Sequence, residues 1–311
     1  LPAPDPLLFL KLWGGPKVPK SKLLRFFHSF LLPLVLKKPL QQGTIYKTNQ
    51  IWGGWVAVFA KWSFRKPLIV RCGYDFYDFS RKQGRSKIFQ IFAYLTSRLI
   101  YSQANKIHVA SSSDFKLVKK EFGIPSSLID LSPNWIDIQL FKPLPVKKDS
   151  RVLFVGRLNV QKNLSLLLNA LKNTGIELDV VGNGELREGL IHLAKKLGVK
   201  VNFLGMIPNE NMPAVYNRYM VYVLCSDYEG NPKTMLEAMA CSCAVVGTNV
   251  PGIQGILQHK KNGILVQRNP EALREAIQCL FGNAPLRKKL GESAFQYINM
   301  NNSLEVALKK E

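Results

Sequence analysis

The stretch Val221-Tyr-Val-Leu-Cys-Ser-Asp-Tyr-Glu-Gly-Asn-Pro-Lys-Thr-Met-Leu-Glu-Ala-Met-Ala240 contains the signals for a strand, a turn and a helix, in that order. The apolar, β-branched run Val221–Leu224 predicts a buried strand. Asn231 favours the N-cap of a helix and Pro232 favours the first helical position, so we expect a helix to begin there. The next apolar run, Ala244–Val246, predicts another strand. A strand, a helix and a second strand in this order are typical of a parallel sheet.

The same alternation extends through the C-terminal half of the chain. Four more short β-rich runs predict strands: Val152–Val155, Leu178–Val181, Val201–Leu204 and Ile264–Val266. Amphipathic or capped stretches predict helices at Asn163–Lys172, Leu186–Leu197 and Pro232–Ala240. We therefore expect a parallel sheet with helices on both faces and a ligand crevice at the carboxyl ends of its strands.

The N-terminal half repeats the pattern less regularly. Its predicted strands are Thr44–Lys47, Leu68–Arg71, Lys106–Ala110 and Ile129–Leu131. Its predicted helices lie near Ser86–Leu99 and near Ser113–Phe122. Proline and charged residues are frequent in Phe141–Ser150, which indicates a linker between two α/β domains, residues 1–145 and residues 146–311.

The net charge of the chain, +22, is concentrated in its first half. Residues 1–150 carry 24 Lys and Arg against 8 Asp and Glu, whereas residues 151–311 carry 19 against 13. This asymmetry favours contact with a polyanion, either anionic lipid headgroups or nucleic acid, and a solvated basic surface is the alternative. Because no nucleic-acid-binding signature is present and the aromatic residues do not interleave with the basic runs, we expect no nucleic acid partner.

The segment Lys17–Lys38 combines basic residues with bulky apolar ones. This mixture suits a helix on an anionic bilayer surface, although an ordinary helix with a core-facing side would share it. Its longest largely apolar stretch, Phe26–Leu36, covers 11 residues and is shorter than the roughly 20 that a membrane-spanning helix needs. The charge asymmetry favours the membrane interpretation, so we expect an anionic membrane surface as a partner.

The five cysteines form no Cys-x-x-Cys pair and no zinc-ligand spacing, and the four histidines are scattered. Reduced thiols in a cytoplasmic protein fit this pattern, and it predicts no bound metal. We therefore expect a cytoplasmic protein that its basic half holds at the inner face of the cell membrane.

The loop after the predicted strand Val152–Val155 reads Gly-Arg-Leu-Asn-Val-Gln-Lys-Asn over residues 156–163. Its glycine, Gly156, lets the backbone turn close to a ligand. Arg157 and Lys162 can together neutralise a diphosphate, the first as a planar fork and the second as a point charge. Solvated basic side chains are the alternative interpretation.

Glu229 and Glu237 flank the predicted helix start at Asn231. The free N–H groups and the positive dipole end of such a helix favour an anion, for example a pyrophosphate. Carboxylates beside an anion site are unfavourable unless they accept hydrogen bonds from neutral groups such as sugar hydroxyls. A glutamate before the first helical turn and an unrelated surface glutamate are the alternative.

Together, these segments resemble the family 4 retaining glycosyltransferases (glycosyl transferases group 1), which have the GT-B fold. The resemblance rests on Gly156-Arg157 with Lys162, on Glu229-x7-Glu237, and on the Glu-Ala-Met-Ala-Cys sequence that begins at Glu237. Further matches in the family's order are Pro133–Asp137 with Phe141, Val181–Gly184, Phe203–Met206 and Asn262–Gly263. The resemblance covers roughly residues 100–310. It implies two Rossmann-like domains that face each other across a cleft, with the acceptor side N-terminal and the donor side C-terminal.

The resemblance implies a hexosyltransferase-type enzyme. It would transfer a sugar from a nucleotide-sugar donor to a sugar or lipid-linked acceptor, with retention of the anomeric configuration and without a metal or another cofactor. Arg157 and Lys162 would bind the donor diphosphate and stabilise charge on the leaving nucleotide. Glu229 would hold hydroxyls of the transferred sugar near the reacting carbon, and Glu237 would hold the ribose hydroxyls. The other donor-binding residues that it implies are Gly156, Gly182, Asn183, Gly184, Met206, Gly230, Asn231, Lys233 and Thr234.

The chain also departs from the family's pattern. Ser242 stands where a glycine is common, and Gly255 stands where a glutamate is frequent. Arg71–Asp75 replaces a His-Gly pair, so the N-terminal group that contacts the sugar is unassigned and Asp75 is a candidate. The sequence lacks the glycine-rich loop that follows the family's first strand, so we expect an incomplete N-terminal domain.

Two other functions fit part of the pattern. A sugar-nucleotide epimerase or a sugar phosphorylase would use the same architecture, but Glu229-x7-Glu237 with Arg157 and Lys162 is a transferase pattern. No lysine-bound cofactor motif supports that alternative. A basic nucleic-acid-binding protein is supported only by the charge.

Overall fold

The computed structural model describes residues 21–310. They form two compact units that divide between Leu131 and Ser132, earlier than the division between residues 145 and 146 that the proline-rich segment predicts. The intervening segment belongs to the second unit because Ile136 and Phe141 are buried in that unit's core. A parallel bridge between Ile136 and Ser303 adds a backbone connection.

The first unit contains a four-stranded parallel sheet with the order β1-β2-β3-β4. The strands are β1 (Tyr46–Thr48), β2 (Leu68–Cys72), β3 (Lys106–Val109) and β4 (Ile129–Leu131). The helices are α1 (Lys22–Val35), α2 (Lys37–Gln42), α3 (Trp55–Phe64), α4 (Phe76–Lys82), α5 (Lys87–Ser102) and α6 (Ser112–Glu121). Leu68, Val70 and Cys72 of β2 are buried, whereas Ile69 and Arg71 between them are only partly buried. One face of this sheet therefore carries the core of the unit.

The second unit contains a six-stranded parallel sheet with the order β7-β6-β5-β8-β9-β10. The strands are β5 (Asp149–Val155), β6 (Leu178–Val181), β7 (Val201–Gly205), β8 (Tyr219–Leu224), β9 (Ala244–Thr248) and β10 (Ile264–Val266). The helices are α7 (Leu164–Leu171), α8 (Arg187–Leu197), α9 (Met212–Asn217), α10 (Lys233–Ala240), α11 (Pro251–Gln254), α12 (Pro270–Gly282), α13 (Ala284–Asn301) and α14 (Leu304–Lys310). This is the Rossmann strand order, which reverses between β5 and β8.

Both faces of the second sheet are buried at β8 and β9. Val221 and Val223 of β8 belong to one cluster of core residues, whereas Tyr222 and Leu224 belong to another. All residues of β9 are buried as well. Parallel connections place helices on each face of such a sheet, which explains why these strands are continuous apolar runs and not alternating patterns.

The predicted fold class, α/β with two Rossmann-like parallel sheets, is confirmed. Three predicted strands, Ile129–Leu131, Leu178–Val181 and Ile264–Val266, have the predicted bounds. Helix α10 begins at Lys233, so the predicted helix start at Pro232 is one residue early. Among residues 21–310, no helix combines the length and the apolar character that crossing a bilayer requires.

Candidate functional site

The loops after β5 and β8 lie side by side at the carboxyl edge of the second sheet. β5 and β8 are neighbouring strands, and ligands of this fold class bind where the strand order reverses. The Asp227 N–H donates to the Gln161 carbonyl at 2.9 Å, and Gln161 Nε2 donates to the Tyr228 carbonyl at 3.0 Å. These contacts hold the two loops together as one surface.

Lys162 ends a short 3-10 turn, Val160–Lys162, in the loop after β5. The side chain of Asn159 fixes this turn, because its Oδ1 accepts a hydrogen bond from the Lys162 N–H at 3.1 Å. The Lys162 stem passes over Gly156, where an added Cβ would lie 3.5 Å from Lys162 Cδ. The turn therefore directs the ammonium group from the loop after β5 toward the loop after β8.

Glu229, in the loop after β8, forms an ion pair with Lys162. Lys162 Nζ donates to Glu229 Oε1 at 2.5 Å, and Ser226 Oγ donates to the same oxygen at 2.6 Å. The exposed fraction of the side chain is 12% for Lys162 and 0% for Glu229. A carboxylate so deeply buried needs such partners, since an unpaired charge in the interior is strongly unfavourable.

The backbone around Glu229 is held by the next strand and helix. Thr248 Oγ1, at the end of β9, donates to the Ser226 carbonyl at 2.6 Å. A Cβ added at Gly252 would lie 2.2 Å from the Glu229 carbonyl oxygen, so only glycine lets the start of α11 pack there. The Glu229 carboxylate is therefore presented from a rigid loop.

The turn after β6 approaches the loop after β5 so closely that side chains are excluded. A Cβ added at Gly182, whose φ is +129°, would lie 2.0 Å from the Gly156 carbonyl oxygen. One added at Gly184 would lie 2.3 Å from the Leu158 carbonyl oxygen. Asn183 between them is exposed. The two glycines are thus required for the packing of the loops, while Asn183 presents its side chain to the surface.

Met206 follows β7 and is 76% exposed. In the strand order, β7 lies three positions from β8, the strand that precedes Glu229. At about 4.8 Å per strand, the edge between these two strands is about 14 Å long. An edge of this length suits a ligand of several linked groups better than a single small ion.

Helix α10 begins close to Glu229, and Asn231 does not cap it. Pro232 occupies the N-cap and makes no side-chain hydrogen bond to the helix. Asn231 Oδ1 instead accepts a hydrogen bond from the Asn134 N–H at 3.0 Å. The predicted N-cap role of Asn231 is therefore wrong, because a distant segment of the chain engages its side chain. Without a side-chain cap, the N–H groups of Lys233 and Thr234 stay available to an anion.

Glu237 lies within α10 and is buried, as Glu229 is, so the alternative of a surface glutamate at this position is wrong. Tyr216 Oη donates to Glu237 Oε2 at 2.9 Å. Burial raises the pKa of Glu237, and the hydrogen bond from Tyr216 and the charge of Lys233 oppose that rise. A carboxylate has lone pairs beyond those that one hydroxyl uses, so Glu237 can accept further hydrogen bonds from hydroxyl groups.

Arg157 extends from the same loop as Lys162 but is exposed. It forms no ion pair with any of residues 21–310, in contrast to Lys162. Its guanidinium is therefore open to an anionic ligand at this edge of the sheet.

The sequence alone indicates no role for Ser226, Tyr216 or Gln161, although each contacts the site. Ser226 lies three positions before Glu229, so the sequence itself indicates that the two residues are close. Tyr216 belongs to α9 and is 21 positions from Glu237, and no local pattern relates the two residues. Gln161 stands beside Lys162, and only the fold shows that it faces the loop after β8.

Asp75 of the first unit, the candidate for contact with the sugar, makes hydrogen bonds that stabilise the fold. It is the N-cap of α4, where its Oδ1 accepts a hydrogen bond from the Asp78 N–H at 2.8 Å. Tyr101 Oη donates to its other carboxylate oxygen at 3.0 Å. Burial raises the pKa of Asp75, and both hydrogen bonds oppose that rise. These contacts account for Asp75 as a helix cap.

Comparison with known proteins relates this chain to a protein family. A family model described as Glycosyl transferases group 1 matches residues 136–297. A Haemophilus influenzae protein named Uncharacterized glycosyltransferase is 30% identical over 92% of this chain and 80% of its own length. Sucrose-phosphate synthase from Thermosynechococcus elongatus has the same fold, with a TM-score of 0.82 at 22% identity over 94% of this chain and 78% of that one.

A third similar protein comes from Campylobacter jejuni. Its name is GalNAc-alpha-(1->4)-GalNAc-alpha-(1->3)-diNAcBac-PP-undecaprenol alpha-1,4-N-acetyl-D-galactosaminyltransferase. It is 30% identical over 207 residues, which are 64% of this chain and 56% of that protein. The chain thus spans about half the length of this relative, and 46% of another.

Proposed function

The chain belongs to the glycosyl transferases group 1 family, and we propose that it transfers a sugar from a nucleotide-sugar donor to an acceptor with retention of the anomeric configuration. The observation that carries this proposal is the buried Lys162–Glu229 pair at the reversal of strand order, beside the uncapped start of α10. A nucleotide-sugar donor requires a cation that binds its phosphates and carboxylates that accept hydrogen bonds from its hydroxyls. The pair and the nearby Glu237 supply both kinds of group.

In the proposed reaction, Arg157 and Lys162 bind the donor diphosphate. When the bond between the sugar C1 and the phosphate oxygen breaks, its electron pair stays on the nucleoside diphosphate, and the two cations stabilise that charge. The acceptor hydroxyl oxygen forms the new bond to C1 on the face that the phosphate leaves, and its proton passes to the departing phosphate or to solvent. The two side-chain cations supply the charge that a divalent metal supplies at other phosphate sites, so the proposal includes no cofactor.

The two carboxylates have different proposed partners. Glu229 lies before α10 and next to the phosphate-binding lysine, so we assign it to the hydroxyls of the transferred sugar. Glu237 lies deeper in α10, and we assign it to the ribose hydroxyls. Along the sheet edge, Gly182–Gly184 and then Met206 are the proposed neighbours of the nucleotide. The backbone N–H groups of α10 bind the phosphate end.

The proposed acceptor is lipid-linked. The Campylobacter jejuni relative is named for a substrate joined to PP-undecaprenol, a lipid diphosphate. A lipid-linked acceptor would be presented at a membrane surface. An anionic membrane surface attracts positive charge, which is concentrated in the first half of this chain.

We also propose that the first unit attaches to an anionic membrane surface at the inner face of the cell membrane. Helix α1 exposes large apolar side chains, including Phe27 at 58% and Leu34 at 69%. Ile88, Ile91 and Leu95 form a similar exposed stripe on α5. The rings of Phe26 and Phe92 lie 6.4 Å apart and join the two helices. We call the apolar residues Phe27, Leu31, Leu34, Ile88, Ile91 and Leu95 the α1–α5 surface.

Basic residues flank the α5 part of this apolar area. Arg85, Lys87 and Arg98 are exposed beside the stripe on α5. Lys17 and Lys20, which the sequence also assigns to the membrane segment, lie outside the described residues. Apolar side chains next to several cations favour an interface with anionic headgroups over the alternative, a purely solvated basic surface.

Transfer assays with a panel of nucleotide sugars test the enzymatic proposal. Release of nucleoside diphosphate should depend on a lipid diphosphate-linked acceptor, and the product should keep the anomeric configuration of the donor. Glu229→Gln should reduce turnover by about 100-fold or more without weakening nucleoside diphosphate binding, because the Lys162 ammonium is then no longer paired with a carboxylate. Isomerisation of the sugar without an acceptor would instead indicate an epimerase. Release of sugar 1-phosphate that depends on inorganic phosphate would indicate a phosphorylase.

A further inference from the structure

Asn134 connects the loop after β8 to the end of α13. The Asn134 N–H donates to Asn231 Oδ1 at 3.0 Å, and Asn134 Nδ2 donates to the Asn231 carbonyl at 2.7 Å. From the other side, Asn302 Nδ2 donates to the Asn134 carbonyl at 2.8 Å. The Ile136 N–H donates to the Asn302 carbonyl at 2.7 Å. Asn134 is therefore held by a buried residue at the end of α13 while it engages both oxygen atoms of Asn231.

This contact determines what the start of α10 offers to a ligand. An asparagine side chain near a helix start readily accepts hydrogen bonds from the first N–H groups. If Asn231 Oδ1 turned toward Lys233 and Thr234, it would occupy the donors that an anion uses. Because Asn134 engages that oxygen, no side chain caps α10.

The neighbour of Asn134 also contacts the first turn of the helix. Lys233 Nζ lies 6.0 Å from the centre of the Trp135 ring, a cation–π contact. Residues 134 and 135 thus contact both the turn before α10 and the helix itself.

We propose that Asn134 is a positioning residue for the donor: it keeps the Asn231 side chain away from α10, so that the N–H groups of Lys233 and Thr234 bind the donor diphosphate. The inference rests on the proposed function, because it assumes a diphosphate at this end of the helix. Asn134 acts through Asn231 and not by contact with the reacting atoms.

Calorimetric titration of the full chain with a nucleoside diphosphate, and with the corresponding nucleoside, tests this role. Both substitutions keep the Asn134 backbone N–H that donates to Asn231 Oδ1 and disrupt the second bond, which aligns the two segments. Asn134→Ala removes this bond to the Asn231 carbonyl, and Asn134→Asp places an oxygen where Nδ2 donates, so each variant lets the Asn231 side chain turn toward α10. In either variant, diphosphate affinity should fall about tenfold, equivalent to about 1.4 kcal/mol, while nucleoside affinity stays within about twofold. A merely structural role would weaken both ligands equally.

A second substitution separates competition from general loosening of the loop. In the Asn134→Ala background, Asn231→Ala removes the side chain that would cap α10, so it should restore most of the diphosphate affinity. Asn301→Ala is the matched control, because it removes an exposed asparagine whose Nδ2 donates to the Tyr297 carbonyl at 2.9 Å. This control should bind both ligands as the wild type does.

Three results would overturn the inference. They are equal losses for nucleoside and diphosphate, unchanged diphosphate affinity in a folded Asn134 variant, and no recovery in the Asn134→Ala/Asn231→Ala double variant. If Asn134→Ala fails to fold, the isosteric Asn134→Asp gives the same comparison. A wild type that binds no nucleoside diphosphate would contradict the proposed function and this inference with it. A wild type that binds, with Asn134 variants that bind equally well, would contradict this inference alone.

Discussion

Lys162 Nζ lies 2.5 Å from Glu229 Oε1, and this ion pair joins the two loops at which the strand order of the second sheet reverses. These two side chains, each of which is proposed to bind the donor, are therefore engaged with each other. A diphosphate competes with Glu229 for the ammonium, and sugar hydroxyls compete with Lys162 for the carboxylate. A donor that carries both groups can satisfy both side chains at once, whereas a ligand with only one of them leaves a buried charge with fewer partners.

Removing Lys162 should destabilise the second unit, because the Glu229 carboxylate would remain buried without its cation. We expect Lys162→Met to lower the free energy of unfolding by about 3 to 5 kcal/mol, the range for breaking a buried ion pair from one side. Adding Glu229→Gln should restore most of that loss, since an amide needs no counter-charge. Urea unfolding monitored by circular dichroism measures both differences. Equal stability of the single and double variants would mean that the unpaired carboxylate is not the cause.

Arg157 should affect ligand binding without affecting stability. It is exposed and has no ion pair within the described residues, so Arg157→Ala should leave the free energy of unfolding nearly unchanged. Nucleoside diphosphate binding should weaken by about 1.5 to 3 kcal/mol, the range for hydrogen bonds to charged groups. Arg218→Ala is a matched control, because Arg218 is an exposed arginine directly before β8, at the opposite edge of the sheet. Calorimetry that gave both variants the wild-type affinity would remove Arg157 from the proposed site.

Glu237→Gln should have opposite effects on stability and on binding. Burial raises the pKa of Glu237, so the native protein binds the proton of this carboxyl group more tightly than the unfolded chain does. The free energy of unfolding therefore falls as the pH rises from the ordinary glutamate pKa through the raised native pKa. The amide of the Glu237→Gln variant does not titrate, so the variant should be more stable than the wild type at about pH 7, with the difference vanishing below about pH 4.

The same Glu237→Gln variant should bind nucleoside diphosphate more weakly, because an amide is a weaker acceptor for ribose hydroxyls than a carboxylate. Urea unfolding at the two pH values and calorimetry at the higher one give the three quantities. A wild type that is more stable than the variant at neutral pH would show that contacts of Glu237 outweigh its burial.

The strands of the second unit follow from local sequence, because strands buried on both faces are continuous apolar runs. Ile264–Val266 keeps its predicted bounds for this reason, and Leu178–Val181 keeps them although Asp179 interrupts its apolar residues. The start of α10 does not follow from local sequence, since the partner of Asn231 is 97 positions away. Long-range hydrogen bonds of this kind leave no periodic pattern, so the capping preference of asparagine gives the wrong role.

The departure at Ser242 shows how the fold accommodates an unexpected residue. Ser242 has a φ of +58°, in the left-handed region that favours glycine. A Cβ added at Gly291 would lie 2.4 Å from the Ser242 carbonyl oxygen, so α13 packs directly against this turn. Packing against α13 therefore stabilises the turn after α10, although the glycine that is common at this position is absent.

Attachment of the α1–α5 surface to lipid is the last prediction, and its physical basis is a combination of charge and apolar contact. Each Lys or Arg near an anionic surface contributes about 1 kcal/mol, and the attraction falls off within a Debye length of about 8 Å at physiological salt. Each inserted apolar side chain contributes about 1.5 to 3 kcal/mol when it is fully buried. Vesicles with anionic lipid should therefore pellet the protein, neutral vesicles should pellet little of it, and added salt should release it.

A pair of matched variants separates the surface from apolar exposure in general. Phe27→Ser with Leu34→Ser removes two exposed side chains of α1, and it should reduce binding to anionic vesicles by about tenfold or more. Met300→Ser with Leu308→Ser removes side chains of similar exposure, 72% and 64%, from the second unit and should leave vesicle binding unchanged. Light scattering without lipid detects the competing possibility, a second copy seated on the same residues. Equal pelleting with neutral and anionic lipid, or an equal loss in both double variants, would contradict attachment through the α1–α5 surface, because neither result depends on the charge and position that the proposal requires.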